Sequence, residues 1–259
     1  MSLHIDVFFY KEGSVVKKAV YMTSLFRCDQ GLEDSLDLAT AVLKQITCDL
    51  PNIVNIYGKS DNASHYMGNF VLEALFNLCK QHGKKLVRYD YNEPCKGKDQ
   101  CDREASYAKG LLCSYVHAGN NIDSASDVAQ SLKHAGGLKN TKVAVAVVDS
   151  SANRLITPPK SEVTGIKSYH SYVFHKTYMV AWKYYNIGKG VKLNYVGVQY
   201  KPSIKLLEEF TPCHQQGWSP APQLSKNRES RMPNLLYFCP ESNCSQVFEQ
   251  LENIPSRGA

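Results

Sequence analysis

No stretch of the 259-residue sequence approaches the ~18 consecutive apolar residues that a membrane-crossing helix requires, so no membrane partner is expected. The first thirteen residues carry His4, Asp6, Lys11 and Glu12. They lack the cationic start, long apolar centre and small-residue cleavage site of a secretory signal, and read as a strand instead. There is no internal repeat or low-complexity tract, which sets aside repeat architectures and unstructured polar tracts. Gly188-Lys189-Gly190 lacks the spacing of a Walker motif, and no Ser-His-Asp or Cys-His arrangement is identifiable by spacing. A strongly basic footprint is missing too: a formal charge of +6 permits an anionic partner without requiring one. The nine cysteines are an odd number, several of them on apolar helical stripes, which argues against a disulfide framework and for a reducing, intracellular compartment.

What remains is the composition of an ordinary globular protein, 43% hydrophobic and 21% charged, long enough for one large domain or a core of ~150 residues with an appendage. Leu3 to Tyr10 and Val15 to Phe26, rich in β-branched and aromatic residues around a Gly-containing turn, read as a hairpin. Leu32, Leu36, Ala39, Leu43 and Ile46 recur at helical spacing and predict a helix over about 33–46. Ile53 to Tyr57 reads as a buried strand. A second helix follows, marked by Phe70, Val71, Ala74, Leu75 and Leu78, with Gly83 at its stop. Lys85 to Tyr91 is the next strand, and Cys101, Ala105, Ala108, Leu112 and Tyr115 define a third helix. Ser126 is placed to cap a short helix through Ala135, and Val143 to Val148 reads as a strand. The order through the third helix is β-β-α-β-α-β-α. From 151 to 211 the segments are aromatic-rich and read as a small β-rich region, followed by a polar linker over 212–236 and a cysteine-bearing tail over 237–259.

A carboxylate just past the end of a buried strand lies at the mouth of an α/β sheet, where ligands gather, and Asp61 is so placed. A second carboxylate in the first turn of a later helix can join it around a hard cation. Asp102 and Glu104 are the candidates. With Cys101 taken as the middle of the buried stripe, they fall on opposite flanks, and spacing does not choose between them. The same acids also suit an ordinary strand-to-helix connection and a helix start favoured by its dipole.

Lys59-Ser60-Asp61-Asn62-Ala63, followed by the run from Arg88 through Gly97-Lys98-Asp99-Gln100-Cys101-Asp102 to Glu104, resembles transposon-derived proteins with a ribonuclease-H-like core. The resemblance extends loosely from His4 to about Tyr200. Its most specific part is the Gly-Lys-Asp-x-Cys-Asp segment. It implies an α/β fold, a ribonuclease-H-like three-layer core over 1–150, DNA as partner, and a nuclear location. It also implies three carboxylates holding two Mg²⁺ or Mn²⁺ ions, which activate water or a DNA 3′ hydroxyl against a phosphodiester. Asp61 corresponds to the second of these acids and Asp102, or alternatively Glu104, to the third.

The chain departs from that pattern at its start, with two strands before the first helix where the family has three. Either Asp6 is the first acid on a shortened core or the first strand is missing. The second is favoured: Leu3 to Tyr10 then corresponds to the family's second strand, and the central strand and one metal ligand are lost. The expectation is therefore a truncated, inactive relative. The tail Phe238-Cys239-Pro240-Glu241-Ser242-Asn243-Cys244 begins like a Cys2His2 zinc finger, but Arg257 stands where the first histidine should be. Zinc at Cys239 and Cys244 is not expected, since Cys213 and His214 would have to fold back to complete it.

His170 and His175, five apart, do not share a strand face. Tyr169, Tyr172, Tyr178, Tyr184 and Tyr185, with Lys167, Lys176 and Lys183 among them, read as core and rim of a small sheet ahead of a base-stacking surface. Three functions stay open: a transposase relative, a non-catalytic nucleic-acid-binding protein, and a globular protein with no nucleic-acid role.

Overall fold

The structure is a computed structural model and describes residues 1–26, 31–60, 69–92, 100–149, 151–152, 154–156, 168–218, 221–222 and 237–239. β1 (Ser2–Glu12) and β2 (Val15–Leu25) form the expected antiparallel hairpin, with Glu12 opposite Val15. α1 (Leu32–Asp49) follows and turns Leu36, Leu43 and Ile46 into the core, as its spacing predicts. β3 (Asn55–Ser60), α2 (Asn69–Gln81) and β4 (Lys85–Tyr91) make a parallel strand-helix-strand unit. Gly83 closes α2 at φ +67°, a left-handed value that glycine takes without a Cβ penalty, and Lys84 N–H then donates to the Cys79 carbonyl at 2.8 Å.

α3 (Gln100–His117) and α4 (Ala125–Ser131) lead to β5 (Thr141–Val147), parallel to β2. The cap of α4 is Ser124 and not Ser126. Only Ser124 has an acid three residues on, and Asp127 completes a reciprocal pair with it: Asp127 N donates to the Ser124 hydroxyl, and Ser124 N to the Asp127 carboxylate. The helix also stops at Ser131. Ala135 takes a left-handed φ of +50°, which an α-helix cannot accommodate.

The later strands are β6 (Leu155–Ile156), β7 (Ser171–Phe174), β8 (Tyr178–Trp182), β9 (Val191–Asn194), β10 (Gln199–Tyr200), β11 (Lys205–Pro212), β12 (Ala221–Pro222) and β13 (Tyr237–Cys239). β6 and β10 pair as a separate ribbon, and the others join one mixed sheet in the order β11-β5-β2-β1-β13-β3-β4-β7-β8-β9, with β12 on β2. Segment 151–211 thus supplies both edges: the antiparallel meander β7–β9 extends from β4, and β11 pairs with β5.

The sheet is sandwiched between helices. α1 and α2 pack on one face over Phe8, Tyr21, Ile56, Leu86 and Tyr172. α3 and α4 pack on the other, over Val7, Phe9, Val20, Met22 and Val143. The alternation of Val7 and Phe9 with Phe8 and Tyr10 is the two-residue strand period placing successive side chains in different layers. Each large side chain so buried contributes ~1.5–3 kcal/mol.

Acids enter this core as well. Asp34 and Asp37 of α1 are buried against Arg154, whose Nη1 donates to Asp34 Oδ1 and Asp37 Oδ2 at 2.6 Å each, while Nε donates to Glu33 Oε2 at 3.0 Å. Buried Glu73 of α2 accepts the backbone N–H groups of Val196, Gly197 and Val198 at 2.8–2.9 Å.

Candidate functional site

A cavity of about 260 Å³ opens in the middle of the sheet. Its lining includes His4 and Asp6 of β1, Lys59 and Ser60 of β3, apolar residues of α1 and α2, and Cys101 and Asp102 at the start of α3. Helices from both faces line one space, so the cavity passes through the sheet between β1 and β3. The reason lies in the strand pairing. β13 sits between those two strands but pairs only with Phe9 and Tyr10 of β1 and with Asn55 and Ile56 of β3. Residues 2–7 of β1 pair with β2 on one side and have no strand on the other among the described residues.

The predicted site residues fall differently around this cavity. Asp61 lies outside the described residues; Ser60 before it lines the cavity, so β3 does end at the cavity mouth. Asp102 is in the first turn of α3, exposed, and lines the cavity. Glu104 is buried instead, its Oε1 accepting from Lys18 Nζ at 2.6 Å and from Gln100 Nε2 at 2.8 Å. The buried stripe of α3 centres on Glu104 and Ala108, with Cys101 only half-buried, which is why the two acids part company. Asp6 points to the α1 and α2 side and lies 3.1 Å from His4 Nε2. Burial alone would lower the His4 pKa, but the charge of Asp6 and its hydrogen bond outweigh it and raise it, favouring imidazolium.

Among the described residues no three His, Cys, Asp or Glu side chains come together as a metal-binding group. Cys213 is packed in the core with Val143 and Leu132, and burial pushes its thiol up to about 12, which disfavours the thiolate a zinc ion needs. Cys239 belongs to β13, and Cys244 lies outside the described residues.

Glu104 and Asp102 are separable by stability. Glu104→Ala is expected to lower the unfolding free energy by about 2 kcal/mol, because it strands the Lys18 ammonium without its counter-charge. Asp102→Ala, on the exposed side of the same turn, is expected to change it by less than about 1 kcal/mol. Urea unfolding reads both, and equal losses would deny Glu104 its structural role.

A second feature carries a signal that the residue-by-residue reading passed over. Between Glu162 and Glu208 the sequence has seven lysines and no acidic residue, leaving 23 basic against 24 acidic residues elsewhere. The positive charge of the whole chain is concentrated in this stretch, which includes β7, β8 and β9. Their inward residues Tyr172, Phe174, Met179, Ala181 and Leu193 are buried toward α1 and α2. The register places Tyr57, Arg88, Val173, Val180 and Lys192 in one row across five strands on the opposite face. Among the described residues α3 and α4 pack on β1, β2 and β5, and neither packs on the β7–β9 meander.

No protein-family model, curated protein or solved structure matches this chain.

Proposed function

We propose that this chain is a transposase-derived DNA-handling protein on a ribonuclease-H-like core, with an incomplete metal site and no remaining cutting activity. The observation that carries the reading is the middle of the sheet. An antiparallel pair, β2 and β1, and a parallel pair, β3 and β4, flank a single strand position, helices cover both faces, and Asp102 and Asp6 line the cavity there. This matches the arrangement expected of such a core with β13 in the position of its central strand.

The oxygen donors suit a hard divalent cation such as Mg²⁺ or Mn²⁺. Asp102, with Asp61 beyond the end of β3, would hold it, and a bound ion would polarise a phosphodiester and activate water. Lys59 lines the same cavity and brings positive charge to a phosphate placed there. Among the described residues, neither Glu104 nor Asp6 supplies a third carboxylate. Glu104 is neutralised by Lys18, and Asp6 is tied to His4.

Titrating Mn²⁺ into the full chain calorimetrically, alongside a supercoiled-plasmid nicking assay, tests both halves of the proposal. Outer-shell partners alone are worth 10–100-fold in metal affinity, so Asp102→Asn is expected to weaken Mn²⁺ binding roughly tenfold or more. The plasmid is expected to stay intact with either protein. Unchanged Mn²⁺ affinity would remove Asp102 from the site, and nicking abolished by Asp102→Asn would show that catalysis persists.

A further inference from the structure

We infer that the outward face of the β7–β9 meander, together with its β8–β9 turn, is a binding platform for single-stranded nucleic acid. The face is built from cations held over rings. The Arg88 guanidinium carbon lies 3.7 Å from the Tyr185 ring centroid, and Lys192 Nζ lies 4.3 Å from that of Tyr178. These contacts fix two positive charges on opposite sides of the Val173–Val180 pair. The single acid among the paired β4, β7, β8 and β9 residues of this face, Asp90, is ion-paired with Arg88 at 2.8 Å and accepts the Ser171 hydroxyl. That pair is neutral, and the positive charge of the surface comes from the exposed Lys192 of β9 with Lys183 and Lys189 of the β8–β9 turn.

Aromatic rings are presented beside these charges. His175 is exposed and stacks on Tyr178 with centroids 4.5 Å apart, which leaves its far side open to a further planar group. Tyr184 is 58% exposed in the β8–β9 turn, between Lys183 and Lys189, and Ile187 at the same turn is 72% exposed. Exposed rings interleaved with lysines match a polymer that alternates planar bases with phosphates. A duplex hides its base faces, so the stacking partner is a single strand.

The platform also leads somewhere. Its central row begins at Tyr57 on β3, and the next residue of β3 on that face is Lys59, which lines the cavity together with Asp102. Strand rows are ~4.8 Å apart, so the five-strand row spans roughly 19 Å from the cavity side to Lys192 at the sheet edge. A bound strand lying along it ends beside the proposed metal site. The inference does not depend on that site, because it concerns binding and not cleavage.

The test is fluorescence anisotropy of a labelled 15-nucleotide oligo-dT with the full chain, in EDTA so that metal binding plays no part. Three phosphate contacts imply an affinity that falls roughly tenfold or more between about 50 and about 200 mM salt. The double variant Lys189→Glu/Lys192→Glu is expected to weaken binding by about tenfold or more, and His175→Ala and Tyr184→Ala by roughly tenfold each, with unfolding transitions unchanged. Because the titration is run in EDTA, its outcome is separate from the fate of the metal site. Affinity indifferent to the charge reversals overturns the inference. So does tighter binding to a duplex of the same length, to polyglutamate, or to vesicles containing phosphatidylserine.

Discussion

Arg154→Met is expected to lower the unfolding free energy by about 3–5 kcal/mol. Arg154 joins three acids of one turn of α1, and two of them, Asp34 and Asp37, are fully buried. Asp37 accepts further hydrogen bonds from Tyr200 Oη at 2.5 Å, Ser203 N at 2.7 Å and Ser203 Oγ at 2.9 Å. Methionine matches the side chain in length but carries no charge. Two buried carboxylates would then lose the guanidinium that neutralises them, and the cost of their desolvation would no longer be offset by it. The same residue anchors the β6–β10 ribbon, since its carbonyl accepts from Lys201 N at 2.8 Å. Arg154→Lys is expected to recover only part of the loss, because an ammonium cannot reproduce the guanidinium fork that reaches Glu33 through Nε and both aspartates through Nη1. Urea unfolding followed by circular dichroism measures all three proteins. A difference below about 1 kcal/mol for the methionine variant would place the network in water.

Glu73→Ala is expected to cost about 3 kcal/mol or more, through a different mechanism. Here the carboxylate is paired with no cation among the described residues; its charge is spread over three converging amides of the 196–198 turn. Removing it leaves the buried Val198 amide and the part-buried Val196 and Gly197 amides without this acceptor, at about 1–3 kcal/mol for each that water cannot reach. The turn positions Val198 in the core and Tyr195 against Phe76, with ring centroids 5.1 Å apart, so its loosening spreads to the base of the meander. Glu73→Gln keeps one acceptor oxygen and is expected to lose less. Hydrogen exchange at Val196, Gly197 and Val198 reports the change directly: all three amides should lose protection in Glu73→Ala. Retained protection would mean that other acceptors hold the turn.

The buried acids explain where the sequence stops being readable. Helical stripes such as Leu36, Leu43 and Ile46 identify α1 because apolar spacing reports the buried face directly. Asp34, Asp37, Glu73 and Glu104 sit on buried faces too, and no local pattern reveals it, since Lys18, Arg154 and the 196–198 amides that hold them lie between 86 and 125 residues away. Glu104 entered the candidate site for that reason: its acidity was visible in the sequence and Lys18 was not. The strand segments of 171–194 were legible from their aromatic and β-branched content, but their attachment to β4 and that of β11 to β5 are non-local pairings without a sequence mark. Tyr172 proved to be core because its face of β7 meets α1 and α2, and Tyr184 surface because it lies in the β8–β9 turn. The cationic character of the same stretch needed no structure at all, only the spacing between two glutamates.

The short strand at the centre of the sheet bears on how the molecule assembles. Phe9 and Tyr237 are paired across more than two hundred residues of chain, as are Tyr10 and Phe238. Contacts of such separation close the largest loops in the protein and form late, after the entropy of the intervening chain has been lost. The hairpin β1–β2 with β5, and the β3–α2–β4 unit, can each gain most of their partners before that seam closes. The sheet is then two half-sheets that mature independently, and the line between β1 and β3 is where cooperativity is lowest.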